Sequence, residues 1–185
     1  MEMTGIQCRV TALPKDVSQE EFEQTFSRIN EDSDVHGILL LRPLPKSLDE
    51  GPVRAMIHPN KDVDGMSPVN MAKVFSGDET GFAPCTAQAV MEILQYYAVM
   101  PRGKRITILG RSMVVGRPLA MSLLKADGTV TLCHTRTEEL AQECNKAQIL
   151  VAAAGKARMV TEDMVGENAV VIDVGINVDE DGGLC

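Results

Sequence analysis

The sequence predicts an α/β protein of two α/β lobes, the C-terminal one a Rossmann-type, doubly wound parallel sheet. Three observations predict it. From Arg105 onward, short apolar runs alternate with helical stretches, as parallel strands and their crossover helices do. The first run, RITIL, passes through a glycine-bounded turn into a helix. Ahead of it, a strand-like run, a helix and the apolar run at 36–41 (HGILLL) stand in the order of a parallel βαβ unit.

Residues 8–13 read as a short strand. Ser18 opens a helix: with Glu21 it forms a capping box, and Val17 and Phe22 occupy the positions of a hydrophobic staple. Phe22, Phe26 and Ile29 share one helical face. Residues 36–41 have the continuous apolar character of a strand buried on both sides. Between Arg42 and Pro84, six prolines (Pro43, Pro45, Pro52, Pro59, Pro68 and Pro84) leave no regular element to assign. Such a stretch in a compact domain is a linker or a functional loop, and its KDVDG core at 61–65 favours the loop. Residues 86–97 form a helix with Val90, Ile93, Leu94 and Tyr97 on one side, ended by Pro101, Arg102 and Gly103. That break divides the chain into lobes at 1–100 and 101–185. The second lobe reads as strands at 105–109, 129–132, 149–153 and 170–174, with helices at 115–125 and 138–145. No internal repeat or low-complexity tract interrupts it.

The 185 residues are 44% apolar and 24% charged, a globular mix rather than a disordered one. A net charge of -8 argues against nucleic acid as a partner, because phosphate is repelled. No apolar run has membrane-spanning length, and MEMTGIQCRV is no signal peptide. The cysteines (Cys8, Cys85, Cys133, Cys144 and Cys185) are odd in number and form no CxxC pair. They read as thiols in a reducing cytoplasm, with no zinc site and no disulfide framework. Of the histidines, His36 reads as packed, His58 as solvated and His134 as an orienting residue.

The turn at 110–118 (GRSMVVGRP) is the candidate cofactor site. In this fold the first strand-to-helix turn faces a pyrophosphate, glycine admits the backbone, and the helix N-terminus offers N–H groups. The spacing is not GxGxxG, so the loop alone is equally well a plain turn. The end of the second strand adds to it. An NAD enzyme carries an acid there for the ribose 2′-hydroxyl, and that acid would repel a 2′-phosphate. Here the residues are Cys133, His134, Thr135, Arg136 and Thr137, with no acid before Glu138. Thr135 can donate a hydroxyl proton, and Arg136 or Arg111 can pair with phosphate, which favours NADP. The competing reading makes Arg136 a solvated charge and Thr137 a helix cap. Gly155 and Gly175-Ile176-Asn177 follow the third and fourth strands, where an open sheet lines its ligand crevice. They serve equally as turn residues.

HGILLLRPLP, KDVDG with Pro68-Val69-Asn70 behind it, FAPCT, GRSMVVGRP, TLCHTRT and VVIDVGIN occur in this order. That series resembles the bifunctional methylenetetrahydrofolate dehydrogenase/methenyltetrahydrofolate cyclohydrolase family, over almost the whole chain. The resemblance implies NADP-dependent oxidation of 5,10-methylenetetrahydrofolate to the 5,10-methenyl form, and hydrolysis to 10-formyltetrahydrofolate, in one-carbon metabolism. It implies a folate-binding lobe at 1–100, a cofactor lobe at 101–185, and a cytoplasmic homodimer formed through the cofactor lobes. It places Asp64 on the pterin ring, and Gly110, Arg111, Ser112, Thr135 and Ile176 on the cofactor, with Thr86 near the cleft. A carboxylate suits the pterin, whose 2-amino and ring N–H groups form a donor pair. The rival reading of Asp64 is an Asx turn before Gly65.

The chain departs from the family in places. The expected Tyr-x-x-x-Lys motif is missing, and Tyr96 and Tyr97 have no lysine four residues on. Leu41, on the substrate side, replaces an expected glutamine, and Arg42 follows where leucine is usual. A glycine-rich C-terminal segment is also expected and missing, so the chain reads as a piece of a longer protein. The catalytic residue therefore stays unassigned. The alternative function is a catalytically silent NADP-binding or dimerisation module. Another Rossmann dehydrogenase explains neither KDVDG nor PCT.

Overall fold

A computed structural model describes residues 5–177. Helix α1 (Gln19–Glu31) starts where its signals place it, with the Ser18 hydroxyl accepting from the Glu21 N–H at 3.1 Å. Val17, Phe22 and Phe26 are buried together with Ile38, Val53 and Ile57, which form the core of the first half.

The proline-broken stretch contains two α-helices that the sequence reading does not assign. Helix α2 (Glu50–Met56) is capped by Asp49, which accepts from the Gly51 N–H at 2.8 Å. Helix α3 (Pro68–Ser76) is capped by Ser67 and closed by Gly77 in the left-handed region at φ 75°. The physical reason is positional. The first N–H groups of a helix have no intrahelical partner, so proline is tolerated there. Pro52 lies in the first turn of α2, Pro68 opens α3, and Pro84 precedes α4 (Cys85–Tyr96).

Two expected strands are absent among the described residues. Residues 8–13 carry no strand, and the run at 36–41 makes a single bridge, Ile38 to Asp62. A run becomes a strand when a neighbour takes its N–H and C=O groups. Here the Ile38 N–H donates to the Lys61 carbonyl at 2.7 Å, while Leu39 and Leu41 are exposed. The expected parallel βαβ unit is therefore not seen in this half. His36, read as packed, is exposed.

The second half matches expectation. Strands β1 (Arg105–Leu109), β2 (Thr129–Cys133), β3 (Ile149–Ala152) and β4 (Val170–Asp173) form one parallel sheet in the order β2-β1-β3-β4. Helix α5 (Gly116–Lys125) joins β1 to β2, and α6 (Leu140–Asn145) joins β2 to β3. The chain leaves β1 toward one side and returns to the other. The C-terminal ends of β1 and β3 therefore flank a switch point, where such sheets bind ligands.

Ile106 and Ile108 of β1 pack with Leu119 and Leu123 of α5 and with Ala87, Val90 and Leu94 of α4. The buried stripe of α4 differs from the expected one, for Ile93 and Tyr97 are exposed. On the other face, Leu109, Leu150, Cys133, Cys144 and Met164 form a separate cluster. Burial, and the neighbouring Cys133 after it, pushes the Cys144 thiol up to about 11. No helix among the described residues is long and apolar enough to cross a membrane.

Candidate functional site

The turn between β1 and α5 is built by backbone approach. Gly110 sits at φ 126°, and a Cβ there would stand 2.5 Å from the Ala153 carbonyl oxygen. At Gly116 a Cβ would stand 1.9 Å from the Gly110 carbonyl oxygen. Both positions therefore require glycine, as the turn reading expects. The Ser112 hydroxyl accepts from the Val115 N–H at 3.0 Å, and Arg117 donates from Nε to the Arg111 carbonyl at 3.1 Å. This bracing leaves the Arg111 and Ser112 side chains exposed at the start of α5, which has no side-chain cap.

The end of β2 closes into a compact turn. The Thr137 hydroxyl accepts from the His134 N–H at 2.8 Å, and His134 Nδ1 accepts from the Arg136 N–H at 3.1 Å. Thr137 is thus a turn residue and not a helix cap, since α6 begins only at Leu140. Thr135 and Arg136 are left exposed. No carboxylate stands in this turn. At the start of α5 the Arg117 N–H is bonded to the Ser112 carbonyl at 3.1 Å and Pro118 has no N–H. Among the described residues the Gly116 N–H is therefore the free backbone donor beside the exposed Arg111, Thr135 and Arg136. That donor set fits an anionic, 2′-phosphorylated dinucleotide. Ile176, beyond β4, is 82% exposed.

The KDVDG loop is held by residues that the sequence reading passed over. Asp62 is fully buried and accepts from the Met66 and Ser67 N–H groups and from Asn70 Nδ2, at 2.9, 2.8 and 2.8 Å. Lys61 Nζ donates to the Asn30 and Asp32 carbonyls at 2.7 Å each, tying the loop to the end of α1. Gly65, at φ 63°, lies so close under Ala83 and Pro84 that a Cβ would stand 2.6 Å from their backbone. The one available signal was Ser67-Pro68 three residues before Asn70, a helix start that turns the asparagine inward.

Asp64 is thereby released from loop-holding; Asp62 holds the loop instead, through N–H groups four and five residues on rather than through an Asx turn. The Asp64 carboxylate is half-buried, and its Oδ2 accepts from Arg42 Nη2 at 3.0 Å. Cys85 Sγ donates to the Val63 carbonyl at 3.1 Å. Partial burial, and the Asp64 carboxylate after it, pushes the Cys85 thiol up. Thr86 is half-buried beside it in the first turn of α4. Leu41 is 72% exposed and offers no polar atom.

Asp64 and Arg42 line a cavity of about 190 Å³ together with Arg54 and Met66. Its opposite wall is Met113 and Val114, the residues directly after Ser112. The loop of the sheet half and the KDVDG loop therefore face each other across one space. Arg111, Ser112, Thr135 and Arg136 do not line it. A wider depression of about 1190 Å³ lies along α4 and the ends of α3 and α5, and contains none of the sequence-predicted site residues.

Residues 84–185 match the family model described as tetrahydrofolate dehydrogenase/cyclohydrolase, NAD(P)-binding domain, and residues 1–64 match the catalytic domain of the same description. The chain belongs to the tetrahydrofolate dehydrogenase/cyclohydrolase family. The bifunctional protein FolD of Clostridioides difficile is 52% identical over 181 residues, covering 98% of this chain and 63% of that protein. The chain thus spans a little under two thirds of the length of such relatives. Among solved structures, the bifunctional FolD dehydrogenase/cyclohydrolase of Campylobacter jejuni superposes with a TM-score of 0.89. It is 39% identical, covering 92% of this chain and 60% of that one. The Trypanosoma brucei FolD dehydrogenase-cyclohydrolase, complexed with NADP cofactor and inhibitor, gives 0.85 at 37% identity, covering 90% and 58%. The family's α/β architecture with a Rossmann-type sheet is the one described above.

Proposed function

We propose that this chain is the folate- and NADP-binding part of a methylenetetrahydrofolate dehydrogenase/cyclohydrolase of one-carbon metabolism. The observation that carries the reading is the shared cavity, with Asp64 on one wall and the residues following Ser112 on the other. In this reading Asp64 accepts from the donor edge of the pterin, and the exposed Leu41 flanks the substrate. Gly110 admits the dinucleotide backbone, and Ser112 and the start of α5 offer donors to its phosphates. Arg111, Thr135 and Arg136 receive the 2′-phosphate, and Ile176 covers the remaining edge. NADP, when bound, supplies the two-electron acceptor for the methylene carbon. The side chains of this chain orient the ring, exclude water with Met113 and Val114, and balance phosphate charge.

The described residues support the oxidative step more directly than the hydrolytic one. Leu41 cannot hold a water or a proton. That observation favours the second reading, a catalytically silent NADP-binding or dimerisation module. The division into lobes at 1–100 and 101–185, the cytoplasmic location and a homodimer through the cofactor lobe belong to the same proposal. Helix α4 packs on the sheet core through Ala87, Val90 and Leu94, which speaks for a border ahead of that helix rather than at 100.

The test is the absorbance rise of NADPH when the protein is mixed with NADP and methylenetetrahydrofolate. A rise that Asp64→Ala abolishes supports the enzyme. NADP binding with no rise supports the silent module.

A further inference from the structure

We propose that Arg42 is a second folate-contacting residue, and that with Asp64 it reads the 4-oxo edge of the pterin as a donor beside an acceptor. The inference rests on the reading of Asp64 as the pterin acceptor.

The cavity has two arginines, and Arg42 is the less committed of them. Arg54 donates from Nε to the Met66 carbonyl at 3.2 Å and pairs with Glu50 at 3.7 Å. Arg42 makes a single contact among the described residues, from Nη2 to Asp64 Oδ2 at 3.0 Å. A guanidinium has five N–H donors in a rigid plane, so most of those on Arg42 are uncommitted. Its side chain is 25% exposed and that of Asp64 is 20% exposed, so the pair is largely desolvated, and both line the cavity. At about 190 Å³, the space is smaller than the roughly 300 Å³ or more of a drug-sized site, and suits one ring system rather than a whole folate.

The chemistry of the ring completes the case. A pterin presents three neighbouring groups along one edge: the 4-oxo acceptor, the N3–H donor and the 2-amino donor. Arg42 pins Oδ2, which leaves Oδ1 of Asp64 for the ring donors and places a cationic donor next to it. That order, donor then acceptor, is complementary to 4-oxo then N3–H. A 4-amino ring places a donor against the Arg42 donors. It is also the more basic ring, and a lone carboxylate would favour its protonated form, which Arg42 repels. Arg42 thus turns a site that would accept either ring into one that selects the 4-oxo form.

Equilibrium binding of folic acid and of its 4-amino-4-deoxy analogue to the protein, to Arg42→Met and to Arg42→Lys tests this. The unaltered protein should prefer folic acid by about tenfold or more, the size of one hydrogen bond to a charged group. Arg42→Met should lose or reverse the preference, and Arg42→Lys should keep its direction. An unaltered protein with no preference overturns the proposal, and that arm needs no variant. An Arg42→Met that weakens both ligands equally also overturns it, since Arg42 then only steadies Asp64. If the protein binds NADP but neither ring, the Asp64 reading itself fails and takes this one with it.

Discussion

Asp62 Oδ2 accepts from Asn70 Nδ2 at 2.8 Å where both side chains are closed off from solvent, at 0% and 1% exposure. This contact joins the KDVDG loop to α3 and so fixes where Asp64, two residues on, points. Asp62→Ala leaves the Met66 and Ser67 N–H groups without an acceptor and removes one of the two acceptors of Asn70 Nδ2, the Pro59 carbonyl at 3.0 Å remaining. It should cost about 3 kcal/mol or more of unfolding free energy, read from urea denaturation. Asp62→Asn, which keeps one acceptor oxygen, should cost less.

Gly116→Ala tests the β1–α5 turn. The added methyl meets the Gly110 carbonyl oxygen at 1.9 Å and the Arg111 Cα at 3.0 Å, so the turn must move. The fold should survive with a loss of about 1–3 kcal/mol, as for overpacking elsewhere. NADP binding, measured by calorimetry, should weaken at least tenfold, because the phosphate-facing backbone is what shifts.

The source of NADP selectivity is testable residue by residue. Arg111→Ala and Arg136→Ala remove the two exposed cations nearest the ends of β1 and β2. Whichever pairs with the 2′-phosphate should weaken NADP by about ten- to a hundredfold while changing NAD by less than about threefold. Equal losses for both dinucleotides would assign that arginine to the pyrophosphate.

A pH effect follows from Cys144. Its thiol is raised from 9.0 to about 11 in the folded protein, with burial as the first cause. An acid whose folded value lies above its unfolded one stays protonated longer when folded. Between about 9 and 11 the folded state therefore binds more protons, and stability falls as pH rises through that window. Below 9 the contribution is flat. Urea midpoints from pH 8 to 10.5 should fall more steeply for the unaltered protein than for Cys144→Ala, which has no thiol to ionise.

These predictions divide between what the residues disclosed and what only packing decides. The sheet is legible because β3 is a continuous apolar run and β1 departs from one only at Arg105 and Thr107, both strands being buried on both faces beyond Arg105 and followed by turn residues. Residues 36–41 carry the same pattern, yet only Ile38 finds a partner carbonyl, so the pattern names an apolar face and not a ladder. Helices α2 and α3 were hidden because Pro52 and Pro68 were read as breaks, while their place in a first turn makes them starts. At the site, the turn at 110–118 was legible through its glycines. The roles of Asp62 and Asp64 were not separable from spacing, because both are acids flanking one valine. Only the side-chain directions show that one holds the loop and the other meets Arg42. The placement of Arg42 depends on a contact across 22 residues, which no local pattern encodes.

The most direct measurement is a crystal structure of the protein with NADP and folic acid bound together. The account predicts the dinucleotide phosphates against the Gly110–Gly116 turn and the pterin ring between Asp64 and Met113. A ring bound away from Asp64, or a cofactor on another edge of the sheet, would contradict it.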